Sequence, residues 1–342
     1  MTLQTLWFVL WGLLWAVYFT LDGFDFGAGM LRPFLSRDET DRRVTLATIG
    51  PVWDGNEVWL ITAGGATFAA FPGTYASMFS FLYLPMLLIL FSLIIRGVSI
   101  EFRNKDEGLR WRANWDRLLA LTSFTTPLVL GLGFGNIFRG LLFDSSGYHG
   151  TFWGLFNPYG LLTAVLFVVL FLQHGALWLV YKTEGELGGR AAAFAGHIWY
   201  VVLIIAAAFL VFTGFATKLY DNYLAHPGWI LVPALAVAAL VSVKAFQARS
   251  RALAAFLCSC ATILLVIATG LIGLFPNLIP SRMDPAASLT IANSSSSPYT
   301  LRLMAIVALV FVPIVVVYQL FVYRFFRSKT TRGGAEGPEG GY

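Results

Sequence analysis

The chemistry of this chain is concentrated in two short acidic strings. Asp22 and Asp25 stand in Leu21-Asp-Gly-Phe-Asp-Phe-Gly27, and Asp54 and Glu57 stand in Trp53-Asp-Gly-Asn-Glu-Val-Trp59. Both strings lie inside apolar stretches or at their mouths. An ionised carboxylate in hydrocarbon costs a few kcal/mol, so such groups face a protein interior, a water-filled path or a partner. Proton or ion movement is the first chemistry they suggest. Each pair is spaced i, i+3 and so occupies one face of a helix. If the two helices are neighbours, four carboxyl groups converge, and partly desolvated like charges favour sharing protons. Glu101 falls on the same side after the third apolar stretch; it extends the cluster or stands alone as a solvated acid.

A structural reading competes with the chemical one. Pro51 suits a first helical turn, so Asp54 and Glu57 also fit as complements to a helix N-terminus. Arg32, Arg42, Arg43 or Arg96 could take the aspartates in plain ion pairs. Asp22 and Asp25 are harder to explain this way, because they lie near a helix C-terminus, where negative charge is disfavoured.

The elements that must position these groups are membrane helices. Of 342 residues, 58% are hydrophobic and 12% charged, with a mean hydropathy of +0.73. Soluble domains carry about 25% charged residues. A helical span needs roughly 20 apolar residues. Nine stretches qualify, at about Leu6–Met30, Pro51–Phe71, Ala76–Ile95, Leu118–Phe138, Pro158–Tyr181, Ala191–Ala216, Trp229–Phe246, Ala252–Phe275 and Leu303–Phe325. Pro85 and Pro313 are expected to kink the third and ninth. The first stretch has no basic residues before it and no cleavage-site pattern, so it is expected to be retained. All 23 Lys and Arg except Arg139, Lys218, Arg282 and Arg302 fall on one side of this arrangement. That side is cytoplasmic, which puts the N-terminus outside and the C-terminus inside. The basic balance therefore meets lipid headgroups, not nucleic acid.

Between the spans, Arg37–Leu46 is expected as a short surface helix or turn, and Asp284–Tyr299, with its serine run, as a flexible outer loop. Residues 328–342 read as a disordered tail, leaving 1–327 as a single transmembrane domain.

The remaining candidates are weaker. Cys258 and Cys260 point to nearly opposite helix faces and cannot pair with each other. His174 and His197, in neighbouring spans, could ligate a haem iron, but a hydrogen-bonded interior histidine is the commoner case. No metal site is assigned. Gly23 with Gly27, and Gly131 with Gly135, give the small-xxx-small spacing of close helix packing. Gly64 and Gly65 allow another backbone near the second span, and Trp53 and Trp59 flank its acids as further contact positions.

Read together, the strings Leu21-Asp-Gly-Phe-Asp-Phe-Gly-Ala-Gly29 and Trp53-Asp-Gly-Asn-Glu-Val-Trp-Leu-Ile-Thr-Ala-Gly-Gly-Ala66 resemble subunit II of the cytochrome bd-type quinol oxidases. The likeness continues through Arg110-Trp-Arg-Ala-Asn-Trp-Asp116, Gly133-Phe-Gly-Asn136 and Asn157-Pro-Tyr-Gly160 and spans the chain. It implies two four-helix bundles, about 1–140 and 157–276, plus a peripheral helix at about 303–325. It also implies a similar partner, subunit I, which ligates two haems b and one haem d and oxidises quinol while oxygen is reduced. This chain would then support electron transfer and supply a cytoplasmic proton route, at the positions of Asp25 and Asp54, with Glu101 where some relatives carry aspartate. A structural quinone is possible, and a small single-span accessory subunit is a further expected partner, in a prokaryotic cell membrane. A proton-coupled secondary transporter, with the acids as its coupling-ion site, is the alternative. An assembly subunit with merely structural acids is a third reading.

Overall fold

The computed structural model describes residues 2–333 of the chain. Its helices, in chain order, are α1 (Leu3–Leu35), α2 (Glu39–Ile49), α3 (Trp53–Ala70), α4 (Pro72–Phe81), α5 (Tyr83–Phe102), α6 (Leu109–Arg139), α7 (Pro158–Lys182), α8 (Gly185–Ala216), α9 (Tyr220–Ala225), α10 (Leu231–Ala248), α11 (Ala252–Leu274) and α12 (Pro298–Phe325). The strands are two short antiparallel pairs, β1 (Phe143–Asp144) with β2 (Gly147–Tyr148) and β3 (Asn277–Ile279) with β4 (Leu289–Thr290).

Among the described residues, eight helices are long and apolar enough to cross a membrane: α1, α5, α6, α7, α8, α10, α11 and α12. The second expected span, Pro51–Phe71, corresponds to α3, which falls outside that group. It is 18 residues long, and its first turns carry Asp54, Asn56 and Glu57. The third expected span, Ala76–Ile95, is also displaced. Pro85 has no N–H to offer the Phe81 carbonyl. The chain breaks at Leu82, and α5 runs on to Phe102. Pro85 therefore separates two helices where a kink was expected, and Arg96 comes to lie inside a span. Pro313 lies within the continuous α12.

The central element is α1, which packs against α3, α6, α7 and α11. Glycine sets how close α7 can come. A Cβ on Gly27 would sit 2.0 Å from the Phe171 carbonyl oxygen, and one on Gly175 would sit 2.3 Å from the Gly27 carbonyl carbon. Gly131 and Gly135 play the same part where α6 meets Ala164 and Gly160 of α7. The expected small-residue packing thus holds at these positions. Trp15, Phe19, Phe134, Phe167 and Phe171 fill the space around this crossing with edge-to-face and stacked rings. α12 packs mainly on α1 and α3, and its Tyr323 ring also reaches Trp178 of α7.

The connecting segments are tied down. Asp38 caps α2, accepting from the Asp41 N–H at 2.8 Å. This helix is half-buried, and an ion-pair layer secures it. Arg103 meets Glu39 at 2.8 Å and Asp116 at 2.6 Å, and Arg32 meets Asp116 at 2.5 Å. At the opposite end of the bundle, the segment expected to be flexible, Asp284–Tyr299, is held by its neighbours. Ser296 donates to the Ala70 carbonyl through its N–H (2.9 Å) and to the Ala69 carbonyl through its hydroxyl (2.6 Å), closing the end of α3. The tail expected to be disordered from residue 328 begins as an ordered clasp. Thr330 donates its N–H to the Lys182 carbonyl at 2.7 Å, and Arg332 reaches Asp38 and Asp41. The remainder of that expectation, residues 334–342, lies outside the described residues.

Candidate functional site

α1 supplies Asp22 and Asp25 from its buried inner half, and both are fully enclosed. α3 crosses beside them along a stripe of Asn56, Trp59, Ala63, Thr67 and Ala70, small or uncharged for the most part. α5 contributes Arg96, also fully buried.

Arg96 is the hub. Its two terminal nitrogens donate to the two oxygens of Asp22 at 2.5 and 2.9 Å. One of them reaches Glu57 at 3.4 Å, and the other lies 3.9 Å from Asp25. The guanidinium carbon sits 4.1 Å from the centre of the Phe26 ring, a cation–π contact that further fixes its plane. Asp25 is held from the other side, where the Asn56 amide donates to its Oδ2 at 2.7 Å. Its Oδ1 is buried with no hydrogen-bond partner among the described residues. The Asn56 carbonyl accepts in turn from Tyr323 at 2.6 Å and Gln319 at 3.1 Å, both on α12.

One guanidinium therefore faces three carboxyl groups, and the cluster is neutral when two of them carry protons. Buried charge is tolerated when paired and hydrogen-bonded, and leaving either partner alone is costly. The arrangement can thus take up and release protons around a fixed cation.

Of the five expected acids, Asp22, Asp25 and Glu57 converge, whereas Asp54 and Glu101 do not join the contact. Asp54 is exposed on the opposite side of α3, because the Asn56–Ala63–Thr67 stripe is the one that turns toward α1. It heads a second stripe with Val58, Ile61, Gly65 and Phe68, all exposed. Glu101 is exposed at the end of α5. Asp22 takes the ion-pair role foreseen for the arginines: both its oxygens are occupied by Arg96. Trp59 is buried, and Trp53 packs on Gly97 of α5. A Cβ on Gly64 or Gly65 would meet nothing within 4 Å.

Sequence reasoning missed Asn56, Gln319 and Tyr323. Gln319 and Tyr323 are polar groups four residues apart in a nearly wholly apolar helix, which is the signal that could have found them.

Haem is the cofactor to test against this chain. His174 is fully buried; one ring nitrogen pairs with the Thr20 carbonyl at 2.9 Å and the other with the Ser259 hydroxyl. His197 is exposed and bonds its own helix at Ala193. Neither offers a nitrogen aimed at a shared site. Among the described residues no group of three or more His, Cys, Asp or Glu could hold a metal ion. His174 and His197 therefore do not form the haem-ligating pair their neighbouring spans allowed.

A bundle of membrane-spanning helices with a buried acid–arginine cluster marks a polytopic membrane protein. Residues 3–326 match the family described as cytochrome bd terminal oxidase subunit II, and the chain belongs to that family. It is thus a subunit of an oxidoreductase complex whose partner is subunit I. The chain is similar to "Cytochrome bd ubiquinol oxidase subunit 2" of Bacillus subtilis, at 37% identity over 96% of this chain and 97% of the relative. It is also similar to "Cytochrome bd-I ubiquinol oxidase subunit 2" of Escherichia coli, at 38% identity over 98% and 97%. Its fold matches a chain from "The structure of bd oxidase from Geobacillus thermodenitrificans" with a TM-score of 0.78 and 20% identity, covering 95% and 99% of the two. The matches give no support to the transporter alternative.

Proposed function

We propose that this chain supports electron transfer from quinol to oxygen in subunit I and supplies that reaction with protons drawn from the cytoplasm. In this reading Asp25 is the buried proton holder, and Glu57 and Asp54 carry protons between it and the surface of α3. Asp22 neutralises Arg96 and so fixes the cation around which the others exchange. Glu101 contributes charge near the inner membrane face without touching the cluster.

The observation that carries the reading is the contrast between the two stripes of α3. The inner stripe turns toward Asp25. The outer one, from Asp54 through Val58, Ile61 and Gly65 to Phe68, is open and apolar except for the acid at its head, as a helix face covered by a second membrane subunit would be. Subunit I packs there and along the exposed apolar face of α5, with Gly64 and Gly65 admitting its backbone. α3 is then the ninth pass. The helices group as two four-helix bundles, α1/α3/α5/α6 and α7/α8/α10/α11, with α12 outside them. The bias of Lys and Arg places α2 and the C-terminal clasp in the cytoplasm.

Two haems b and one haem d belong to subunit I in this reading, with quinol and oxygen as its substrates. The face given to subunit I carries an apolar groove of about 580 Å³ beside α3, α4, α5 and α6, which leaves room for the tail of a quinone or lipid between this chain and subunit I. A small single-span accessory subunit completes the complex in a prokaryotic cell membrane.

Purification in mild detergent tests the assignment: the chain is expected to bring a second large subunit and a haem spectrum. With assembly intact, Asp25→Asn and Asp54→Asn are each expected to slow quinol-driven oxygen consumption at least tenfold. Unchanged turnover and unchanged charge separation in both variants would leave the acids a structural role only.

A further inference from the structure

We propose that α12 is a positioning element for Asp25, acting through Gln319 and Tyr323 on the Asn56 amide. The inference rests on the reading of Asp25 as a proton holder and adds the residues that set how it holds one.

A primary amide has an accepting end and a donating end. The Asn56 oxygen accepts from the Tyr323 hydroxyl and from the Gln319 amide, which leaves its nitrogen directed at Asp25 Oδ2. Turning the amide over would break both donations from α12 at once, and the Tyr323 hydroxyl and the Gln319 amide would each have to turn and accept from the Asn56 nitrogen instead. It would also set the Asn56 oxygen against the carboxyl of Asp25. That second contact is tolerable only when Asp25 brings a proton to it. The peripheral helix therefore favours the orientation that accommodates an ionised Asp25. Asn56 is fully buried, so water does not compete for its amide.

The placement of Tyr323 supports the role. Its ring packs edge-on against Phe24 and Trp178, so the hydroxyl is carried on a braced side chain. The same residue lines a cavity of about 70 Å³ with Thr48, Lys182, Ser328 and Thr330, beneath the C-terminal clasp. The clasp holds α12 in place, since Lys182 donates to the carbonyls of Phe326 and Ser328, the latter at 2.8 Å.

The charged and titratable groups facing Asp25 are Asp22 on α1, Glu57 on α3, Arg96 on α5 and Tyr323 on α12. Cys260 on α11 stands near Tyr323, and His174 on α7 is taken up by Thr20 and Ser259. None of these except Tyr323 touches Asn56.

The test is infrared difference spectroscopy on the assembled complex. The carboxyl band of Asp25 is identified by its loss in Asp25→Asn and then titrated. In Tyr323→Phe, which removes one oxygen and keeps the braced ring, the pH at half-protonation is expected to rise by about one unit, a tenfold change in proton affinity. Gln319→Leu is expected to give a smaller rise, the double variant the largest, and Tyr318→Phe, on the exposed face of the same helix, none. An unmoved band in Tyr323→Phe and in the double variant overturns the proposal. Failure of Tyr323→Phe to assemble overturns it equally, because the hydroxyl would then be a folding contact. A moved band in a protein whose Asp25→Asn variant turns over normally keeps the positioning role and removes the proton route. An unmoved band with turnover lost in Asp25→Asn does the reverse.

Discussion

Arg96→Gln is the perturbation that most directly tests the buried cluster. The substitution removes the single cation from a fully enclosed site and leaves Asp22, Asp25 and Glu57 facing one another. Removing one partner of a buried ion pair costs about 3–5 kcal/mol. Asp22→Asn should cost less. Arg96 then keeps Glu57 at 3.4 Å and has Asp25 at 3.9 Å, so the loss is that of a charged hydrogen bond, about 1.5–3 kcal/mol. The order is the prediction: Arg96→Gln is more destabilising than Asp22→Asn. Without the arginine, neutrality requires protons on all three acids. The folded state then binds more protons than the unfolded chain, whose carboxyl groups are ionised at neutral pH, so the stability of Arg96→Gln falls as pH rises. The assay is the thermal unfolding midpoint of the detergent-solubilised complex, followed by tryptophan fluorescence at several pH values. Glu101→Gln serves as the control, because it alters an exposed acid outside the cluster. Equal losses in the two cluster variants, or an Arg96→Gln protein indifferent to pH, would refute the reasoning.

Gly175→Ala is expected to prevent assembly, because the added methyl would lie 2.3–2.5 Å from the backbone of Gly27 and Ala28 and neither helix can give way locally. Gly65→Ala, where nothing lies within 4 Å, should leave this chain's own stability unchanged and weaken retention of the partner subunit on a size-exclusion column. At the C-terminal clasp, the Arg332 guanidinium and the Asp41 N–H hold the Asp38 carboxyl below the usual carboxylate range. A folded-state value depressed in this way means that the contact is complete above the ordinary range, near pH 3.9, and is lost as pH falls through the lower folded value. A spin label at Arg327 is therefore expected to stay immobilised at pH 5–7 and to loosen only in stronger acid, whereas Arg332→Ala loosens it at neutral pH.

The legible part of this protein was its apolar length and its acids. Runs of hydrophobic residues located the long helices except for the displaced α5, and the i, i+3 spacing placed Asp22 and Asp25 on one buried face. The acids of α3 were misjudged for a physical reason. Its inward stripe, Asn56–Trp59–Ala63–Thr67–Ala70, is chosen for closeness to α1 and not for hydrophobicity, so no apolar periodicity marks it. Asp54 and Glu57 then seem to share a face, yet Glu57 borders the inward stripe and Asp54 heads the outward one. Arg96 was among the arginines expected to pair with the aspartates, but its place inside a span was hidden by the start of its helix. Counting apolar residues from Ala76 ends the span at Ile95; Pro85 instead breaks the helix at Leu82 and carries Arg96 inside. The partners of Asn56 lie more than 260 residues away, and no local pattern in the chain could join them.

The three acids around Arg96 differ in how firmly they are held, and the proposed proton role draws on that gradation. Asp22 has both oxygens engaged by the guanidinium and no freedom to turn. Asp25 has one oxygen engaged by Asn56 and one without a hydrogen-bond partner among the described residues. Glu57 makes a single 3.4 Å contact, and its side chain is 21% exposed. A cluster held equally tightly at all three positions would be a structural ion pair with surplus acids, at a cost the interior has no reason to bear. A cluster with all three free would leave the arginine unpaired. In the proposed proton route, the fixed acid would be the anchor, the half-held acid the holder and the one reaching the surface the outlet, from the heart of α1 to the flank of α3. Because Asp22 neutralises the cation, the proposed exchange of a proton between Asp25 and Glu57 would never strand Arg96 unpaired in the interior.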